Sequence, residues 1–170
     1  HPIAGTENSG PKSAVKDLYK NSTIIICESD KTRLELLEKA FKLFKNLKMK
    51  IIDMNPLDHD KNIAYVSHLS HISSFMLAKT VLEKKLLRKN IFDLAGSGFE
   101  STVRLAKSSP ETWGSIFNDN KSNIIEALNE YIDNLNNIKS LIEKSKNDLI
   151  FDELNKINLI REILLGIKIK

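Results

Sequence analysis

"STIIICESDKTRLELLEKAFKLFKNLKMKIIDM", residues 22–54, decides the fold class of this chain. Ser22 to Cys27 is a short β-branched run between polar residues, the signature of a buried strand. The next segment places Leu34, Leu37, Phe41 and Phe44 on one helical face, with Ser29 or Asp30 available as N-cap. "KIIDM" reads as a second short strand, stopped by Asn55-Pro56. A strand, one helix and a strand do not make a stable domain alone. They read as the end of a larger α/β sheet.

Downstream of Pro56 the periodicity is helical throughout. A long helix is predicted from about Asp58 to Arg88, with Ala64, Phe75, Ala78 and Leu82 among its apolar positions. Gly96 and Gly98 break the pattern, and a short helix is predicted over Glu100 to Lys107. Ser109-Pro110 restarts the chain, Ser109 as cap and Pro110 in the first turn. From Trp113 onward, Ile116, Phe117, Ile124, Leu128, Tyr131, Leu135 and Ile138 support one or two long amphipathic helices. A last helix is predicted over roughly 148–165, with Leu154, Ile157, Ile160 and Leu164 on its apolar face and Gly166 near its stop. So much amphipathic helix exceeds what one small bundle buries, and a second copy of the chain is the natural cover for the surplus.

Composition narrows the function. The chain has 170 residues, 41% apolar and 28% charged, with 6 glycines and 4 prolines, which is ordinary globular usage. Its longest apolar runs, such as Ile24-Ile25-Ile26-Cys27, are far too short to cross a bilayer, so no membrane partner is expected. No secretion signal is visible, and the single cysteine, Cys27, excludes an internal disulfide and fits a reducing cytoplasm. The net charge of +4 is spread among interspersed acids, and aromatics are only 6%. A nucleic-acid binder would show a basic stripe interleaved with aromatics, so none is expected.

Three places carry polar residues that packing does not explain. They are the opening loop "HPIAGTENSG" with His1, Thr6 and Glu7; "SHLSH" with Ser67, His68 and His71; and "STVRLAKSSPETW" with Arg104 and Trp113. On a helix, Ser67 and His71 lie four apart and His68 and His71 three apart, on neighbouring faces. Read from the residues alone, a capped helix end or a surface pair accounts for these histidines better than half a metal site does. No third or fourth metal ligand is evident, His59 being nine residues before His68, so no metal is expected. Trp113 reads first as core. Arg104, on an apolar background, needs an anion from a carboxylate side chain or a ligand.

Taken together, these segments resemble the prephenate dehydrogenase family over nearly the whole chain. The family's "HPIAGTE-SG" loop stands as His1 to Gly10. Its "HD…VSHLPH" helix stands as His59-Asp60 followed by Val66 to His71. Its "GF…R-AKS-P-W" segment stands as Gly98-Phe99, Arg104, Ala106 to Ser108, Pro110 and Trp113. Ser70 replaces the family's proline, and Ser101 stands where an acidic residue often precedes the arginine.

The resemblance implies a mainly α chain: an all-helical dimerisation domain preceded by a short β-α-β remnant of a Rossmann-type domain. Residues 1–56 would be the C-terminal part of the nucleotide-binding domain with the catalytic loop. Residues 57–170 would be the helical substrate-binding and dimerisation domain. No G-x-G-x-x-G occurs, so the chain looks like a C-terminal portion of the enzyme, inactive alone, with NAD or NADP bound mainly outside it and cofactor-binding residues unknown. The reaction implied is oxidative decarboxylation of prephenate to 4-hydroxyphenylpyruvate in tyrosine biosynthesis. His1 would be the catalytic base, placed by a strand that this chain does not contain. Arg104 would anchor a carboxylate, from this subunit or the other of a homodimer. Thr6, Glu7, Ser67, His68, His71 and Trp113 would complete the substrate site, with Glu7 pairing with Arg104 when substrate is absent. Arogenate dehydrogenase, the same chemistry on an amino-group substrate, and a non-catalytic helical interaction module are the alternatives.

Overall fold

The computed structural model describes residues 1–6, 10–85, 88 and 90–168. The chain divides into two compact units, His1–Ile125 and Glu126–Lys170. The first opens on a three-stranded sheet in the order β1-β2-β3, where β1 is Pro2–Ile3, β2 is Thr23–Ile26 and β3 is Lys50–Asp53. β2 and β3 pair in parallel, with Ile24 opposite Ile51 and Ile25 opposite Ile52. Parallel strands require a crossover, and helix α1, Leu34–Asn46, supplies it and packs on β3. Ile24 and Ile25 are buried, as an isoleucine run with both faces covered demands.

α1 half-buries Leu37, Ala40, Phe41 and Phe44, while Leu34, at its first position, is 70% exposed. Neither Ser29 nor Asp30 caps it. Those two form a separate 3-10 turn, Thr32 and Arg33 stay extended, and the Ser29 hydroxyl donates instead to Asp53 on β3. The helix ends where Lys48 turns left-handed, at φ 56°, and the Met49 amide reaches back to the Phe44 carbonyl at 3.0 Å. This is a Schellman stop made without glycine.

The long helix predicted from Asp58 is one rod with a defect. α2, Pro56–Ile63, starts on Asn55, whose side chain accepts from the Leu57 amide at 2.8 Å. A π-helical turn, Ala64–His68, follows, and then α3, Leu69–Leu82. α3 ends earlier than predicted, with Lys84 and Lys85 amides bonding three residues back; the rest of the predicted span lies partly outside the described residues.

The predicted helix at Glu100 is α4, Ser97–Val103, tightening into a 3-10 turn at Arg104–Lys107. α5, Pro110–Asp119, is capped by Ser109, and α6 runs Lys121–Glu143. The last predicted helix is divided into α7, Asn147–Ile157, and α8, Ile160–Lys168. Between them the Asn158 amide is shared between the Leu154 and Asn155 carbonyls, and the Leu159, Arg161 and Glu162 amides bond three residues back, so the helix tightens and breaks there. In the second unit Phe151, Ile157, Leu159, Ile163 and Leu165 are all exposed, an apolar surface too broad to be incidental. Among the described residues no helix is long and apolar enough to cross a membrane.

Candidate active site

The strand that places His1 is within the chain, contrary to expectation. The His1 backbone nitrogen donates to the Ile25 carbonyl at 2.8 Å, and the Ile25 amide returns a bond to the His1 carbonyl at 2.9 Å. β1 continues this ladder antiparallel to β2, Pro2 opposite Ile24. The imidazole is therefore carried on the edge of a sheet whose centre is the buried Ile24-Ile25 pair.

From that edge the His1 ring meets the helical rod. His1 Nδ1 lies 2.7 Å from His59 Nε2, the rings edge to face with centroids 5.0 Å apart. His59 Nδ1 in turn lies 2.8 Å from Asp60 Oδ1. The His59 side chain is only 14% exposed. Sequence reading weighed His59 as a spare metal ligand and placed His59-Asp60 in a family motif, but gave it no part in the site. Its signal was its adjacency to Asp60, an acceptor that orients an imidazole.

About two turns further along the rod Ser67 stands in the π-helical turn, and His71 follows one turn later in α3. The His71 Nδ1–H donates to the Ser67 carbonyl at 3.0 Å, since a carbonyl only accepts. Its ring stacks on Trp113 of α5, centroids 3.4 Å apart and planes 20° from parallel. Burial lowers the proton affinity of His71; the Ser67 bond opposes this and nearby Arg104 adds to it. A neutral imidazole is the favoured form near pH 7.

Arg104 begins the 3-10 turn after α4, and that turn is pinned from below. Ser74, 2% exposed within α3, accepts from the Ala106 amide at 3.0 Å. The bond crosses between two elements and fixes the backbone from which the guanidinium extends. Sequence reading passed over Ser74, although a serine inside "SSFMLA" needs a polar partner when buried.

These groups surround one cavity of about 540 Å³. His1, Thr6, Ser67, His71, Arg104 and Trp113 all line it, and all belong to the same chain and the same compact unit. Ser108, buried and also in the wall, was not anticipated. His68 stands apart from the lining. It is 7% exposed, its Nδ1 is 3.3 Å from Asn120 Nδ2, and its ring meets Trp113 edge-on. Burial first, then the neighbouring His71 and His59, hold His68 below the usual histidine range. Asn120 also donates to the Asp60 carbonyl at 2.6 Å, so one amide braces both histidine-bearing turns. Glu7 lies outside the described residues. Among the described residues no three His, Cys, Asp or Glu side chains form a metal-binding cluster.

A second, apolar groove of about 690 Å³ adjoins the site, lined by Ile72, Phe75, Met76, Leu82, Trp113 and Phe117 among others. Trp113 is common to both walls.

A neutral histidine, a guanidinium and a flat aromatic wall around a cavity of this size suit an aromatic-sized, carboxylate-bearing ligand with a proton to give up. Comparison with known proteins identifies the chain's relatives. The chain is 28% identical over 151 residues to the prephenate dehydrogenase of Bacillus subtilis, covering 89% of this chain and 41% of that protein. It is 26% identical over 158 residues to the cyclohexadienyl dehydrogenase of Zymomonas mobilis, covering 92% and 54%. The structure of A. aeolicus prephenate dehydrogenase in complex with hydroxyphenyl propionate and NAD+ superimposes with a TM-score of 0.85 at 30% identity, over 96% of this chain and 57% of that one. Synechocystis arogenate dehydrogenase gives a TM-score of 0.80 at 27% identity, over 95% and 59%. The chain thus spans about half the length of these relatives. Residues 1–53 match the nucleotide-binding domain of prephenate dehydrogenase and residues 55–156 its dimerization domain, and the chain belongs to the prephenate dehydrogenase family.

Proposed function

We propose that the protein serves the oxidative decarboxylation of prephenate to 4-hydroxyphenylpyruvate, the chemistry of tyrosine biosynthesis. The observation that carries this reading is the convergence of His1, Arg104 and the His71–Trp113 stack on one cavity. Arg104 holds a substrate carboxylate through its two-pronged fork. Trp113 and His71 form the wall against which the six-membered ring lies, and Thr6 and Ser67 offer hydroxyls at the rim. His1 takes the hydroxyl proton as that carbon is oxidised. Loss of carbon dioxide then aromatises the ring, which removes any need for a separate group to stabilise a carbanion. His68 acts from behind, fixing the indole of Trp113.

A nicotinamide, NAD or NADP, supplies the hydride acceptor when bound. The parallel β2-α1-β3 unit fits the edge of a dinucleotide-binding sheet. The turn from β2 towards α1, Cys27 to Arg33, holds no glycine, so it is not a pyrophosphate cradle. These 170 residues by themselves are therefore expected to bind substrate without turning it over. We assign residues 1–56 to the nucleotide-binding domain with the catalytic loop, and residues 57–170 to substrate binding and dimerisation. The apolar groove beside Trp113 and the exposed leucines and isoleucines of α7 and α8 support a homodimer through the helices.

One observation favours arogenate as the substrate instead. His71 gives its Nδ1–H to Ser67, which leaves Nε2 as an acceptor when the ring is neutral. An acceptor suits the ammonium of arogenate better than the keto group of prephenate. The deciding assay offers the two substrates separately and in competition to the protein carrying a complete nucleotide-binding domain, and follows nicotinamide reduction. His1→Asn is expected to lower kcat by about 10²- to 10⁴-fold. An undiminished rate would remove His1 from its role, and no turnover of either substrate by the wild type would leave the helical interaction module.

A further inference from the structure

His1 does not stand alone: it is the outer member of a three-residue chain, His1–His59–Asp60. The Asp60 carboxylate can only accept, so the proton on His59 sits at Nδ1. With that nitrogen committed, the Nε2 of neutral His59 is bare and must accept. The 2.7 Å partner, His1 Nδ1, must then be the donor. Its proton being on Nδ1, His1 is left with an unprotonated Nε2 on the far side of the ring. That is the atom a general base needs.

We propose that His59, held by Asp60, is a positioning residue that fixes His1 in the Nδ1–H form and receives that proton during turnover. The inference rests on the reading of His1 as the base. In the step itself the substrate O–H bond breaks and its proton bonds to His1 Nε2. The O–H electron pair becomes the new C=O bond as hydride leaves that carbon for the oxidised nicotinamide. The Nδ1 proton of His1 passes to His59 Nε2, leaving His1 neutral and the charge on His59 beside Asp60. A carboxylate behind an imidazole stabilises such a cation without itself becoming protonated.

The surroundings favour this arrangement. His59 is largely shielded from water, and its helix is braced where Asn120 donates to the Asp60 carbonyl. The other charged or titratable groups near the pair are His68, which lies within electrostatic reach of His59, and His71 and Arg104 across the cavity. Arg104 and a protonated His68 both oppose a second positive charge, so Asp60 is the one neighbour among these that favours it.

The test begins without any reaction. Ring-nitrogen NMR of the ¹⁵N-histidine-labelled 170-residue chain, taken above the histidine titrations, should find His1 protonated at Nδ1 and bare at Nε2. His59→Ala and Asp60→Asn should each move the His1 signals towards the averaged values of an exposed imidazole. His59→Gln, whose amide oxygen still accepts, should keep the Nδ1–H form. A wild-type His1 protonated at Nε2, or a tautomer indifferent to His59→Ala and Asp60→Asn alike, would overturn the proposal. Kinetics of the protein with a complete nucleotide-binding domain supply the second readout. His59→Ala should lower kcat by about 10- to 100-fold with little change in KM, and shift the acidic limb of the pH–rate profile. His59→Gln should keep the wild-type tautomer and KM but not recover the full rate. A His59→Ala enzyme with unchanged kcat and pH profile would also overturn it. Absence of turnover in the wild type would count against the dehydrogenase reading, while the NMR comparison still decides whether His59 and Asp60 set His1.

Discussion

The indole of Trp113 lies flat against the imidazole of His71, 3.4 Å between centroids, while His68 approaches the same indole edge-on at 6.0 Å. One aromatic surface thus organises two histidines, one facing the cavity and one behind it. Trp113→Phe keeps a ring but shortens this surface. A stacked pair contributes about 0.5–1.5 kcal/mol beyond area burial, so the substrate KM should rise roughly 2- to 10-fold. Trp113→Ala should additionally admit water to His71 and raise its proton affinity towards that of a free histidine, measurable by NMR titration.

Arg104→Lys is not a conservative change here. Lysine keeps the charge but loses the planar fork that grips a carboxylate. A charge-assisted bond contributes about 1.5–3 kcal/mol, so KM should rise on the order of 10- to 100-fold with kcat less affected. Arg104→Gln also removes a positive neighbour of His71, and the His71 titration should move upward in that variant. A steady-state assay and an NMR titration check the two halves separately.

Ser74→Ala leaves the Ala106 amide without its partner inside the fold. An orphaned buried donor costs about 1–3 kcal/mol. Urea unfolding should register a loss of that size, and Arg104 should lose affinity for carboxylates because its turn is no longer pinned.

Stability should depend on pH through His68 and His71. Both bind protons less readily folded than unfolded, burial being the leading cause. Between the depressed folded values and the ordinary unfolded value near 6.5, the unfolded chain binds more protons, so stability rises with pH across that window. It is fully present above about pH 6.5 and is lost as pH falls through the folded values. Thermal melts from pH 7.5 downward should show a falling Tm, and His68→Gln should flatten the slope.

Much of this was legible in the chain. The isoleucine run of β2 and the stripe of Leu37, Phe41 and Phe44 declare themselves because burial and periodicity are local properties. Ser109-Pro110 likewise names a helix start on chemistry alone. The stops are harder. Lys48 and Ser145 both adopt positive φ without being glycine, and such residues are chosen by what the following segment must reach. Leu159 and Arg161 look helical by spacing, yet their amide bonds tighten to three residues. The site residues were visible as types and motifs. What sequence alone did not carry was the pairing of His1 with His59, 58 positions apart, or the removal of His68 from the cavity wall. Each depends on how the sheet edge meets the helical rod.

The π-helical turn at Ala64–His68 amounts to one residue more than a regular helix needs. An insertion of this kind advances everything after it by about 100° around the axis. Deleting a single residue from the turn would restore an unbroken helix at little local cost. It would also swing His71 off Trp113 and carry Ser74 away from the turn that presents Arg104. The defect is therefore a phase setting: it lets the first half of the rod address the sheet and the second half address the arginine, with one continuous backbone serving both.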